Sequence, residues 1–129
     1  MIEIAFKLSI YLEIYECMIG LDVFPDILKG RYGCAVASGC FLNGHFPADA
    51  IPLMLDSIKI GGLLIFTIRD NYYELGSPMK YREMFETLKE RYELIDRIEY
   101  LKYPGIKAED DCADIKETPA SVMILKRLQ

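Results

Sequence analysis

Three short groups of residues carry side chains and backbone that could do chemistry. The first is Ser38-Gly39-Cys40, which breaks off an apolar run at residues 33–37 and is followed by Phe41 and Leu42. A glycine there lets the backbone bend or approach another group closely. Such a ledge can hold a ligand through main-chain groups, or it can be a tight connection with no ligand. The second is His45, the chain's single histidine, in the loop Asn43-Gly44-His45-Phe46-Pro47. Its imidazole ionises near neutrality, so it can act as a general base or orient a substrate. The plainer alternative is a surface or capping residue. The third is Arg69-Asp70-Asn71, which closes the most apolar run of the chain. Arg69 and Asn71 could meet a polar substrate, or Arg69 and Asp70 could pair locally to close the strand end. A fourth candidate is Asp22, a carboxylate near a strand-like stretch, either as an acceptor for a ligand or as a cap of the turn near Pro25.

The remaining reactive residues exclude more than they suggest. Cys17, Cys34, Cys40 and Cys112 have no Cys-x-x-Cys spacing, and with one histidine they do not form a zinc set. They read as reduced thiols, which points to a cytoplasmic protein. The acidic stretch Glu109, Asp110, Asp111 and Asp114 lacks the glycine and terminal glutamate of a calcium loop and reads as solvated. The tyrosines Tyr72, Tyr73 and Tyr81 can wall a pocket or serve as core. A net charge of −5 argues against a broad nucleic-acid footprint. Charges interrupt every apolar stretch, so no membrane span is expected, and residues 1–10 lack the basic leader of a signal peptide.

These groups need elements to position them. With 129 residues, 52% of them apolar, the chain suits one domain over residues 1–129. The pattern predicts a helix at 1–9 and a short strand at 15–20. A helical turn follows at 24–30, then a buried strand at 33–39. Asp49 is placed to cap a helix running through Ser57, with Pro52 in its first turn. "KIGG" (59–62) reads as a turn before the strand "LLIFTIR" (63–69), which is apolar at successive positions and so needs cover on both faces. Tyr81, Met84, Phe85, Leu88 and Tyr92 recur at helical spacing. Strands follow at 94–103 and 121–128, separated by the acidic loop. Helices between apolar strands predict an α/β three-layer sandwich with a mostly parallel sheet and an antiparallel last strand.

The segments "GRYGCAVASGCF" (30–41) and "DAIPLMLDSIKIGGLLIFTIRDN" (49–71), with the closing strands at 94–103 and 121–128, resemble the C-terminal part of a class I S-adenosylmethionine-dependent methyltransferase. Within that family "SGCFLNGHFPADAIPLML" and "GGLLIFTIRDNYYE" are most similar to the methyltransferase-like proteins of the Williams–Beuren region. The resemblance implies a partial Rossmann-like fold, with S-adenosylmethionine as cofactor and an unidentified methyl acceptor. It places Asp22, Ser38, Gly39, Cys40 and Phe41 toward the cofactor, and His45, Arg69 and Asn71 toward the acceptor. Methyl transfer of this kind is direct displacement at a sulfonium, and it requires no covalent nucleophile.

The chain departs from that pattern at several points. Tyr32-Gly33 stands where an aromatic-Asp pair is usual, and Ile60 where a proline precedes the glycine pair. No G-x-G turn occurs anywhere in it, and neither does the strand ending in an acid that would hold the cofactor's ribose. The expectation is a truncated, weakly active or inactive methyltransferase-like protein. The alternative is a non-catalytic binding or oligomerisation domain that keeps half of the fold. The family's strand order, 3-2-1-4-5-7-6, would leave two strand positions empty between residues 15–20 and 34–38. Either the first of these stretches pairs directly with the second, or a homodimer mate or partner chain covers the open edge.

Overall fold

The structure, a computed structural model, describes residues 2–107 and 115–129. The acidic stretch from Glu109 to Asp114, and Cys112 within it, lie outside the described residues. The elements run α1 (Ile2–Leu8), β1 (Tyr32–Ala37), α2 (Ala50–Ser57), β2 (Ile58–Arg69), α3 (Tyr81–Thr87), β3 (Tyr92–Lys102) and β4 (Thr118–Arg127). Short 3₁₀ turns occupy Asp26–Leu28 and Asp70–Tyr73.

The four strands form one mixed sheet in the order β1-β2-β4-β3. β1 and β2 are parallel and joined through α2, while β4 is antiparallel to both β2 and β3. Since β4 lies between β2 and β3, two of the three pairings are antiparallel, where the sequence pattern points to a mostly parallel sheet. β1, β2 and β3 nevertheless run in one direction, and only the last strand opposes them.

Residues 15–20 form no strand; they are irregular chain that ends in a turn, without ladder bonds to β1. The segment is held from its ends instead. Arg31 bonds Glu13 at 2.7 Å and the Tyr15 hydroxyl at 3.3 Å, and the Met18–Asp22 turn closes the other end. Ile19 packs on the core from there. Among the described residues β1 therefore keeps an unpaired edge.

"KIGG" is not a turn between elements but a kink inside β2. Gly61 has φ +82°, and the β1–β2 register shifts between Tyr32 and Cys34. A Cβ on Gly62 would lie 2.7 Å from the Gly33 carbonyl oxygen, so the two backbones meet where no side chain fits. Asp49 stands at the start of α2 but makes no side-chain capping bond.

Side chains along β2 alternate sharply. Leu64, Phe66 and Ile68 are buried, at 3% exposure or less. Cross-strand partners on β4 share their face, so Met123 and Leu125 join them. Ile51 and Leu55 of α2 and Tyr81 and Phe85 of α3 complete this core. Ile65 belongs to the other face and is only half-buried, contrary to the expectation of cover on both sides. Continuous apolar text cannot reveal which of two faces a helix will occupy.

Phe66 lies at the centre, 4.8 Å from the Phe41 ring and stacked on Phe85 at 5.2 Å. Phe66→Ala should lower stability by about 3–5 kcal/mol in chemical denaturation, because rings on both sides prevent collapse of the site. Gly62→Ala should cost about 1–3 kcal/mol by the same measurement, since the contact it creates is with backbone that cannot yield.

Candidate functional site

The parallel pair β1–β2 ends in two loops, 38–48 and 70–80, and every sequence-derived candidate except Asp22 lies there or just before it. Ligands of open α/β sheets bind at such carboxyl ends. The first loop leaves β1 through Gly39 at φ +68°, a conformation that glycine adopts without strain. The Gly39 N–H donates to Thr67 Oγ1 on β2 at 3.0 Å, which pins the bend to the neighbouring strand. A Cβ at Gly39 would meet nothing within 4 Å, so the glycine serves the bend rather than a close approach. Ser38 is exposed, and the Cys40 thiol turns back to the Ser38 carbonyl at 3.4 Å.

Phe41 turns inward. Its side chain is 2% exposed and packs against Phe46, Phe66 and Tyr81 with ring centroids 4.8–5.1 Å apart. The ring is an anchor of the core, with only its edge reaching the small notch beside Gly39 and Arg69. The loop beyond it is held by Tyr81 at the start of α3. The Tyr81 hydroxyl donates to the Phe46 carbonyl at 2.6 Å, with the Leu42 carbonyl at 3.3 Å. Burial, with a smaller push from Tyr72, raises the Tyr81 phenol to about 12.

The second loop is fastened from the sheet. Asp70 does not pair with Arg69. Its Oδ1 accepts from the buried Ser121 hydroxyl at 2.7 Å and from the Arg97 guanidinium at 3.1 Å, and Arg97 Nε also donates to Ser121 at 3.0 Å. This triangle ties the 3₁₀ turn carrying Asn71 to both β3 and β4. Arg69 lies over the Tyr72 ring at 5.5 Å. Further on, the Gly76 N–H donates to Glu83 Oε1 at 2.7 Å. That bond and Glu83's own N–H hold its carboxyl below the ordinary value.

Between the two loops lie two adjoining clefts. One, of about 350 Å³, is largely apolar and lined by Met18, Leu21, Phe46 and Pro47, with His45 on its wall. The other, of about 420 Å³, is more polar and lined by Asn71, Tyr72, Glu74 and Ser77. Asn43, Pro78 and Met79 border both. Ser77 is 8% exposed, and its hydroxyl has no hydrogen-bond partner among the described residues. A buried, unsatisfied hydroxyl beside a cleft is a polar contact waiting for a ligand or a water. A third depression, between Gly39, Thr67 and Arg69, holds about 10 Å³, roughly one water molecule.

The structure therefore brings His45 and Asn71 to neighbouring clefts and Gly39 and Arg69 to one notch. Asp22 is not among them. Its carboxylate accepts from the Met18 N–H at 2.8 Å and shapes the turn that lends Met18 and Leu21 to the apolar cleft. Sequence reasoning missed Ser77, Thr67 and the Asp70–Ser121–Arg97 triangle, whose members come from two strands and a turn. Among the described residues no three histidine, cysteine, aspartate or glutamate side chains converge as a metal set. Cys17, Cys34 and Cys40 are free thiols, with Cys34 exposed.

The clefts can take a small molecule with one apolar end and one polar end. No protein-family model matches the chain, and no curated protein matches it either.

Burial gives the Tyr81 tether a pH signature. Folded, its phenol holds a proton to about 12, as does that of Tyr92, while the unfolded chain releases it near 10.0. The unfolded state then binds fewer protons, so stability should fall as pH rises from about 10 toward 12. Tyr81→Phe should flatten that alkaline limb. At neutral pH it should cost about 1–2 kcal/mol by leaving the Phe46 carbonyl without its partner, and should speed amide hydrogen exchange at His45.

Proposed function

We propose that this chain is the acceptor-side half of a class I S-adenosylmethionine-dependent methyltransferase fold, with the paired clefts as the place where a methyl acceptor is held. The observation that carries this reading is the strand order. In the family the last four strands run 4-5-7-6 with the seventh antiparallel. The sheet here runs β1-β2-β4-β3 with β4 antiparallel, and helices follow the first two strands at the same points. In this reading the sheet with α2 and α3 on one face is part of a three-layer sandwich, and the protein works in the cytoplasm.

The geometry supports the roles that the resemblance implies. Ser38, Gly39 and Cys40 offer exposed or half-buried backbone at the end of β1, where the methionine or adenosine part of the cofactor would approach. His45 and Asn71 face the acceptor from the two clefts, and the Ser77 hydroxyl adds a donor or acceptor deeper in the polar one. The protein's share of such chemistry is alignment of the sulfonium with the acceptor and exclusion of water. These 129 residues contain no G-x-G turn to admit the cofactor's backbone contacts.

A second reading is a non-catalytic binding or oligomerisation domain on the same half-fold. The unpaired edge of β1 favours it, because an open edge is a template for another chain.

Titration of S-adenosylmethionine into the isotope-labelled chain, followed by amide chemical shifts, separates the two. The expected result is weak binding, with a dissociation constant in the millimolar range and shifts confined to residues 38–43 and 69–71. Absence of shifts at those residues would favour the binding-domain reading. Micromolar affinity with methyl transfer would mean that residues assigned here to packing rebuild a complete site.

A further inference from the structure

The sheet face opposite α2 and α3 is an apolar plate. Strand register places Val36 beside Ile65, Ile65 beside Ile124, Thr67 beside Val122, and Val122 beside Ile98. Val36 is 71% exposed and Ile98 49%, while the others are half-buried. Four strands about 4.8 Å apart and about five residues deep make a plate on the order of 300 Å², a size that marks an interaction surface.

The same chain carries a second uncovered apolar surface. α1 and the residues after it expose Ile4, Phe6, Leu8, Ile10, Tyr11 and Leu12 at 59–104%, and α1 buries no side chain. A seven-residue helix is far below the roughly 12–15 residues at which an isolated helix becomes even marginal in water. It needs a surface to lie on. Its own sheet leaves these side chains exposed, with Ile10, Tyr11 and Leu12 no more than bordering a depression beside Arg31 and Tyr32 at the start of β1. Among the described residues the arm is tied down beyond them, where Arg31, just before the edge strand β1, bonds Glu13 and Tyr15.

We propose that a second copy of this chain covers the plate, each protomer laying its arm, residues 2–12, across the sheet of the other. Two-fold exchange is self-complementary, so one contact made twice buries both surfaces of both protomers. The plate alone falls short of the roughly 800 Å² that each partner supplies to a stable interface, and the six large side chains of the arm make up the difference. Charge does not oppose this pairing: residues 2–12 carry one acid and one base, Glu3 and Lys7, and the rim of the plate mixes Arg69, Lys102 and Lys126 with Glu93 and Asp96. This inference stands apart from the methyl-transfer reading, whose shift titration neither needs nor reports a dimer.

Sedimentation equilibrium of the full chain at micromolar concentration tests it. The expected mass is twice the 14.8 kDa of one chain. An arm variant, Phe6→Asp with Leu12→Asp, and a plate variant, Val36→Lys with Ile98→Lys, should each halve that mass. All four positions are exposed, so circular dichroism should report an intact fold. Mixed together, the two variants should form a heterodimer, because one wild-type arm then meets one wild-type plate. Three results would overturn the proposal: a monomeric wild-type chain, including one that co-sediments with phosphatidylcholine vesicles; an arm variant that stays dimeric; or a variant mixture that stays monomeric.

Discussion

Most of this structure depends on the ring of Phe41 turning inward. The chain leaves β1, bends at Gly39, and then drives an aromatic side chain between β2 and α3, where it touches Phe46, Phe66 and Tyr81 at once. That contact makes a loop into part of the core. It also brings the Phe46 carbonyl within reach of the Tyr81 hydroxyl, so the loop is fixed by packing and by a buried hydrogen bond together. The clefts have firm walls on this side because the loop behind them cannot move without opening the aromatic cluster.

The other wall is held by electrostatics. Asp70, Ser121 and Arg97 form a closed triangle at the end of β2, and the Arg97 guanidinium also lies 5.8 Å from the Tyr73 ring. A similar device works at the opposite end of the sheet. There Asp56 takes the Arg91 guanidinium at 2.6 Å, while Arg127 bonds the carbonyls of Asp56 and Ile58. One network fastens α2 to the start of β3 and the end of β4. The other fastens the loop after β2 to the middle of both strands. Each is partly buried, where a hydrogen-bonded pair is worth more than on the surface.

The two faces of the sheet are unequal. One is covered by α2 and α3 and closed by the aromatic cluster. The other presents β-branched side chains, which suit a packed surface better than an open one. An unpaired β1 edge adjoins that face, and an apolar arm precedes it. These features share one cause. The apolar content of the chain exceeds what two short packed helices and four strands can bury.

The sequence by itself determined the elements whose identity rests on local chemistry. The apolar run 63–69, the small-residue strand 33–37, the spacing of Tyr81, Phe85 and Leu88, and the bend at Gly39 are all legible, because each follows from alternation, helical period or backbone freedom. So is the grouping of Ser38–Cys40 with Arg69 and Asn71 at the strand ends, since parallel strands joined by a helix must end on the same side. Only the tertiary structure decided that residues 15–20 stay unpaired, since strand formation there needs a partner edge that the pattern cannot supply. It alone decided that "KIGG" is a kink within β2, since the close approach of Gly33 and Gly62 is a contact across 29 residues. Phe41 becomes a core anchor, and Asp22 the brace of a turn, for the same reason. Which way a side chain faces after a glycine bend depends on distant neighbours, and those neighbours are brought to it only by the fold.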